Sequence, residues 1–250
     1  MKRTMIQLLT VGTIALLGTG AAMAQDPIIQ VIHNSPNAPS VDIYLNAGAD
    51  PAITALDFRQ ATGLVSLPAG MYEVGIAAHP SSGPGDIIAS FGPYDLMDGS
   101  QTVIMAAGEL GTDFGLFVNA LNTSAPAGQV GVLAFHGSPD APTVDVAAVD
   151  VGVLVPNLEY LTFQGYLEVP AADYILTVAP AGGEPIAGFD APLSGLGGGA
   201  AVVFASGYLG TMPNFGLYAA LNDGTVLMLP PNNSVSNEPG SWGEVKSMYR

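Results

Sequence analysis

A segment near the start of the chain, VIHNSPNAPSVDIYL at 31–45, comes back about a hundred residues later as LAFHGSPDAPTVDVAAV at 133–149. Two further blocks recur in the same order. LPAGMYEVGIA at 67–77 returns as VPAADYILTVA at 169–179, and VIMAAGELGTDFGLFVNALN at 103–122 returns as VVFASGYLGTMPNFGLYAALN at 202–222, with offsets of 103, 102 and 99 to 101 residues. Such a period is too long for a solenoid repeat and is the size of one small domain. The chain is therefore expected to build one fold twice. The two domains are 27–124 and 129–226, joined by the Pro/Gly linker TSAPAG at 123–128.

Each copy reads as strands. Tyr72, Val74 and Ile76 alternate with Glu73 and Gly75, and Val41, Ile43 and Leu45 alternate with Asp42 and Tyr44, the period of a half-buried strand. VIMAA and VVFAS are continuous apolar runs, as expected of strands covered on both sides. LPAG reads as a turn joining two strands as a hairpin. Gly and Pro make up 52 of 250 residues, but they separate short apolar runs and form no tracts, which favours turns over disorder. No internal window carries a helical period longer than two turns. The expected class is all-β: two tandem immunoglobulin-like or Greek-key β-sandwiches.

The His-x-Ser-Pro-(Asn/Asp)-Ala-Pro-x-Val-Asp opening and the Leu-Pro-Ala-Gly-x-Tyr block resemble domain-of-unknown-function family 4397, over nearly all of residues 28–223. The resemblance implies export from a bacterial cell and a tandem β architecture. It implies no activity. Two departures stand out, Asn37 in place of Asp in the first copy and Gly137 after His136 in the second.

The first 24 residues carry Lys2 and Arg3, an apolar stretch from Met5 to Leu17 and the small-x-small pattern Ala22-Met23-Ala24. This is the pattern of a signal peptide cleaved after Ala24, placing the chain in the periplasm, on the surface or outside the cell. No other segment is long and apolar enough to span a bilayer. Removing residues 1–24 leaves three Lys/Arg against 21 Asp/Glu, a net charge of −18. Such a chain lacks the cations that bind phosphate, which argues against nucleic acid and anionic lipid as partners. With no cysteine, neither a disulfide nor a lipid-attached cysteine is available.

His33, Ser35 and Asp42, and again His136, Ser138 and Asp145, offer the residue types of a hydrolase. The spacing argues otherwise. Ser35-Pro36-Asn37 and Ser138-Pro139-Asp140 are turn-starting sequences whose side chains bond nearby backbone, and no Gly-x-Ser-x-Gly elbow occurs. The motif is expected to brace the fold, with no catalytic residue. His79 has no counterpart in the second copy and reads as an exposed loop histidine. Asp140, Asp145 and Asp150 are spaced by five, unlike an EF-hand, so no metal or other cofactor is assigned; a calcium site is the weaker alternative. GELGTDFG and GYLGTMPNFG read as tight β turns, since no helix or lysine follows.

After residue 226 the composition changes. Residues 230–240 read as a spacer, and SWGEVKSMYR carries Trp242, Val245 and Tyr249 on one side of a short capped segment together with Lys246 and Arg250. This tail is either loosely packed or a recognition peptide. The expected function is that of a non-enzymatic structural or adhesion protein that self-associates or binds a cell-envelope protein or glycan. A secreted Ser/His hydrolase and a calcium- or glycan-binding module are the alternatives.

Overall fold

The computed structural model describes residues 25–235. The first half contributes β1 (Ile28–Asn34), β2 (Val41–Leu45), β3 (Ile53–Leu56), β4 (Gln60–Ala61), β5 (Val65–Ser66), β6 (Gly70–Ala78), β7 (Ile87–Leu96), β8 (Gln101–Ala107) and β9 (Gly115–Ala120). The second contributes β10 (Gln129–Gly137), β11 (Val144–Ala148), β12 (Gly152–Leu158), β13 (Phe163–Pro170), β14 (Asp173–Pro180), β15 (Ala187–Pro192), β16 (Ala200–Ser206), β17 (Gly216–Leu221) and β18 (Val226–Met228). Among the described residues the only helical pieces are two three-residue 3-10 turns, Pro84–Asp86 and Ser194–Leu196. The chain is all-β, as its periodicity dictates.

In each half the strands sort into an outer and an inner sheet. The outer sheets run β3-β2-β6-β7 and β12-β11-β14-β15. The inner sheets run β4-β1-β8-β9, with β5 continuing the edge beside β1, and β13-β10-β16-β17-β18. In both halves the first strand pairs in parallel with the strand that leads into the glycine-rich turn: β1 with β8, β10 with β16. The sandwich of the first half closes on Ile29, Val31, Ile43, Val74, Ile76 and Ile104, and that of the second on Val144, Val155, Leu176, Val178, Phe189 and Leu217.

A third core joins the halves. Ile32, Val103 and Met105 of the first inner sheet pack on Leu133, Phe135, Val202 and Phe204 of the second. Alternate residues of β1, β8, β10 and β16 thus face their own sandwich and the other one, so these strands are buried on both faces and mostly apolar. At roughly 1.5–3 kcal/mol for each large apolar side chain taken from water, the seam is comparable with the whole net stability of a typical domain, about 5–15 kcal/mol. The halves are not beads on a linker. Even residues 123–128 are bonded into the seam, with Ala125 N–H donating to Gly198 O and Thr123 O accepting from Asn222 Nδ2.

Polar groups set the register of the seam. Gln30 Nε2 donates to Leu221 O (2.7 Å) and Asn34 Nδ2 to Ala205 O (3.0 Å). Arg59, the single cation among the described residues, donates to Ser206 Oγ, Ser206 O and Asn214 O, and lies over the rings of Phe58 and Tyr218 at 4.7 and 4.4 Å. Gly137 explains itself here. A Cβ at that position would collide with Asn34 Nδ2 and meet Ala205 O at 2.9 Å, so the second copy gives up a side chain where the first inserts one.

Two expectations need correction. LPAG does not join a hairpin: β5 lies in the inner sheet and β6 in the outer one, so the segment turns a corner between sheets. Tyr72 Oη holds that corner by donating to Pro68 O (2.8 Å), and Tyr174 Oη does the same to Pro170 O (2.9 Å). This is the arrangement of a tyrosine corner in Greek-key sandwiches. The second half also runs past 226. β18 ends at Met228, and residues 230–232 of the expected spacer lie along β15, with Asp190 N–H donating to Pro230 O and Asn232 N–H to Gly188 O.

Candidate functional site

The repeated motif occupies the turn that carries the chain from inner to outer sheet. Ser35, Pro36, Asn37 and Ala38 form a β-turn with Pro at its second position and Ala38 N–H reaching Ser35 O at 3.4 Å; Ser138, Pro139, Asp140 and Ala141 repeat it at 3.3 Å. His33 and Ser35 are fully buried, as are His136 and Ser138.

Their hydrogen bonds all go to backbone. His33 Nε2 donates to Pro39 O (3.0 Å), and Ser35 N–H donates to His33 Nδ1 (3.3 Å). This pairing fixes the neutral tautomer with the proton on Nε2. Ser35 Oγ donates to Gly108 O at 2.5 Å. In the second copy His136 Nε2 donates to Pro142 O (2.9 Å), Ser138 N–H to His136 Nδ1 (3.3 Å) and Ser138 Oγ to Gly207 O (2.7 Å). Burial lowers the pKa of both imidazoles, only partly offset by the bonds to Pro39 and Pro142. A nucleophilic serine gives its proton to the histidine; here each hydroxyl proton points at a carbonyl, and each histidine accepts from a backbone amide.

The serine bonds also join two of the repeated blocks. Gly108 and Gly207 open the glycine-rich turns with φ of +84° and +81°, a region where a side chain is strained. Asn37 Oδ1 accepts Leu110 N–H (2.8 Å), while Asp140 accepts Leu209 N–H (2.7 Å) and Gly210 N–H (3.2 Å). The Asn/Asp difference is therefore one acceptor oxygen against two, in the same place.

The motif aspartates turn away from the histidines of the motif, as their strand alternation requires. Asp42 is 1% exposed and accepts four bonds: Ala55 N–H and His79 Nδ1 on Oδ1, both 2.9 Å, and Ser81 N–H (2.9 Å) and Ser81 Oγ (2.7 Å) on Oδ2. Burial by itself would raise its pKa. The bonds from Ser81, Ala55 and His79 outweigh that and hold the carboxyl well below its ordinary value. His79 is thus not an idle loop residue; it anchors the loop after β6, and Ser81 Oγ in turn lies 2.6 Å from the buried Tyr44 hydroxyl. Sequence reasoning missed this because His79 lies outside the repeat. Asp145 makes a smaller set, accepting Asn157 N–H (2.7 Å) and Gly182 N–H (2.8 Å), which lower its pKa.

Other candidate chemistry is dispersed. Asp140, Asp145 and Asp150 serve different loops, and among the described residues no group of three His, Cys, Asp or Glu could hold a metal ion. Tyr44 is buried, and Tyr94 and Tyr160 are partly so. Cavities of about 70 and 30 Å³ lie inside the second and first sandwiches, walled by side chains such as Val146, Leu154, Leu167 and Phe215, or Val31, Ile43 and Ile104. Both are far below the several hundred Å³ of an ordinary ligand site. Trp242, Val245, Lys246, Tyr249 and Arg250 lie outside the described residues, as do the first 24 residues. No helix among the described residues is long and apolar enough to cross a membrane.

No curated protein matches the chain. A family described as a domain of unknown function, DUF4397, matches residues 27–147 and again 131–215. Those spans contain both braced turns, both tyrosine corners and both glycine turns, and the chain belongs to that family.

Proposed function

We propose that the chain is an exported, non-enzymatic structural or adhesion protein of the cell envelope or extracellular space, able to self-associate or dock on an envelope partner through sheet edges. The observation that carries this reading is the bonding of the two Ser–His pairs. Every donor and acceptor that a hydrolase would need is committed to backbone in both copies. The export half of the reading rests on residues 1–24, and fractionation of the producing cell tests it.

The edges support the assembly half. Proteins commonly guard exposed edges with lysine, proline or bulges. The one cation among the described residues, Arg59, is turned into the seam. β15 has its outer edge taken by residues 230–232, whereas among the described residues its counterpart β7 pairs with β6 alone. Pro93, the register shifts along β6–β7 and a net charge of −18 remain as defences, and salt weakens the last of them. Sedimentation of the processed protein at tens of micromolar is therefore expected to show more association at high than at low ionic strength. A monomer at both would sink the assembly reading. Ser35→Ala and Ser138→Ala are expected to leave any hydrolysis by the preparation unchanged; its loss would restore the enzyme reading.

A further inference from the structure

One edge of the inner sheets is finished differently in the two copies. In the second half the chain turns back after β17 and β18 pairs along it, Leu221 N–H donating to Thr225 O and Leu229 N–H to Leu217 O, both at 2.9 Å. The registers Ala107↔Gly115 and Ser206↔Gly216 align β9 with β17, which puts Leu116 at the place of Leu217 and Val118 at that of Ala219. After β9, however, the chain leaves for the linker, and among the described residues β9 pairs with β8 alone.

The free side of β9 is an open ladder. Leu121 N–H donates to Gln101 O (2.8 Å), and Ala120 stands opposite Thr102. The alternation of an antiparallel pair therefore turns the main-chain groups of Leu116, Val118 and Ala120 away from β8. Asn119 closes the far end, its Oδ1 accepting Ala120 N–H at 2.8 Å. Leu116 and Val118 keep theirs outward, and Val118 is 40% exposed. Among the described residues every other strand at a sheet edge carries a guard. β3, β7, β12 and β13 have register shifts, β4, β5 and β18 are two or three residues long, and residues 230–232 run along β15. The six residues of β9 pair with β8 in unbroken register and include no proline and no charge.

We propose that β9 pairs antiparallel with β9 of a second copy about a two-fold axis, Leu116 of each chain against Val118 of the other. This rests on the assembly reading and names its edge. The register follows from the open groups: it uses both amides and both carbonyls of each chain and leaves Asn119 on Ala120. Charge selects the partner. The processed chain carries −18, yet no charged residue stands between Asp113 and Asp140, so the strip itself offers a second copy no like charge. The packing repeats one already made in the second half. There Leu229, bonded to Leu217, is 4% exposed and completes the sandwich core. In the paired edges Val118 of the second copy stands beside Leu116 in the place of Leu229. Such a self-complementary contact closes at the dimer.

The full-length chain processed after Ala24, concentrated at high ionic strength, is expected to sediment as dimers and nothing larger. At the same salt, amide hydrogen exchange at Leu116 and Val118 is expected to slow severalfold between dilute and concentrated samples, while that of Ser90 in β7 stays constant. Val118→Lys, at an exposed position, is expected to abolish the dimer with far-UV circular dichroism unchanged. Ile88→Lys, the same change of charge on β7, is expected to keep it. Should Val118→Lys fold poorly, the exchange measurement on the parent still decides. Dimers whose β9 amides exchange as in the monomer overturn the proposal and leave the assembly reading to another edge, as do dimers that survive Val118→Lys. Species that grow past the dimer overturn the two-fold pairing. A monomer at every concentration and salt overturns the proposal and the assembly reading together.

Discussion

His33 and His136 each satisfy both ring nitrogens inside the protein, and removal of either ring leaves the buried amide of Ser35 or Ser138 without its acceptor and the carbonyl of Pro39 or Pro142 without its donor. His33→Ala and His136→Ala are each expected to cost about 1–3 kcal/mol, read as a lower urea midpoint; curves that overlay the parent would refute the brace. The same rings make stability depend on pH. An unfolded histidine protonates near pH 6.5, while burial lowers the folded pKa of both. Below pH 6.5 the unfolded chain binds more protons, so stability falls as the pH drops from 7 to 5, and the double alanine variant loses that slope. Asp42 acts in a lower window. Its folded pKa lies below the ordinary 3.8, so its contribution is present above that value and fades as the pH falls below it. Asp42 holds four donors and Asp145 two, so Asp42→Ala is expected to destabilise more than Asp145→Ala when both are melted at pH 7.

At the level of elements, the inner strands show how two copies of one sequence become different parts. β1 carries Gln30 and Asn34 on its seam side, and β10 carries Leu133 and Gly137 at the matching positions. Each polar insertion meets a backbone carbonyl of the other half. Gly137→Ala is expected to destabilise by roughly 1–3 kcal/mol, the usual range for overpacking, because both Asn34 Nδ2 and Ala205 O crowd the new methyl group. Adding Asn34→Ala removes one of those clashes. A double-mutant cycle is expected to give a favourable coupling; strict additivity would mean that the two residues do not share the space.

For the molecule as a whole, the shared seam predicts one unfolding transition where two tandem domains predict two. Calorimetry on the processed protein is expected to show a single peak, and separate peaks would contradict the coupling. Arg59→Ala removes the charged donor from Ser206 and Asn214 carbonyls, at about 1.5–3 kcal/mol for bonds of that kind, and is expected to broaden or split the peak. The first half alone would expose Ile32, Val103 and Met105. It is therefore expected to bind a hydrophobic dye or to aggregate, even though it contains a full sandwich.

The sequence alone determined the strands, their faces and the doubling, because side-chain alternation and repetition are local properties written residue by residue. It also pointed to the Ser-Pro turns, since proline at the second position of a turn is a backbone constraint. Even the continuous apolar runs VIMAA and VVFAS carried the news that two layers cover them. What covers them was settled only in three dimensions. That the second layer is the other copy depends on Gln30, Asn34, Arg59 and Gly137 meeting groups more than a hundred residues away, and none of these pairs leaves a periodic trace. The same holds for His79 on Asp42, a contact between a unique loop and a repeated strand. Long-range polar contacts depend on where backbone carbonyls and amides end up, and the folded sheets decide that.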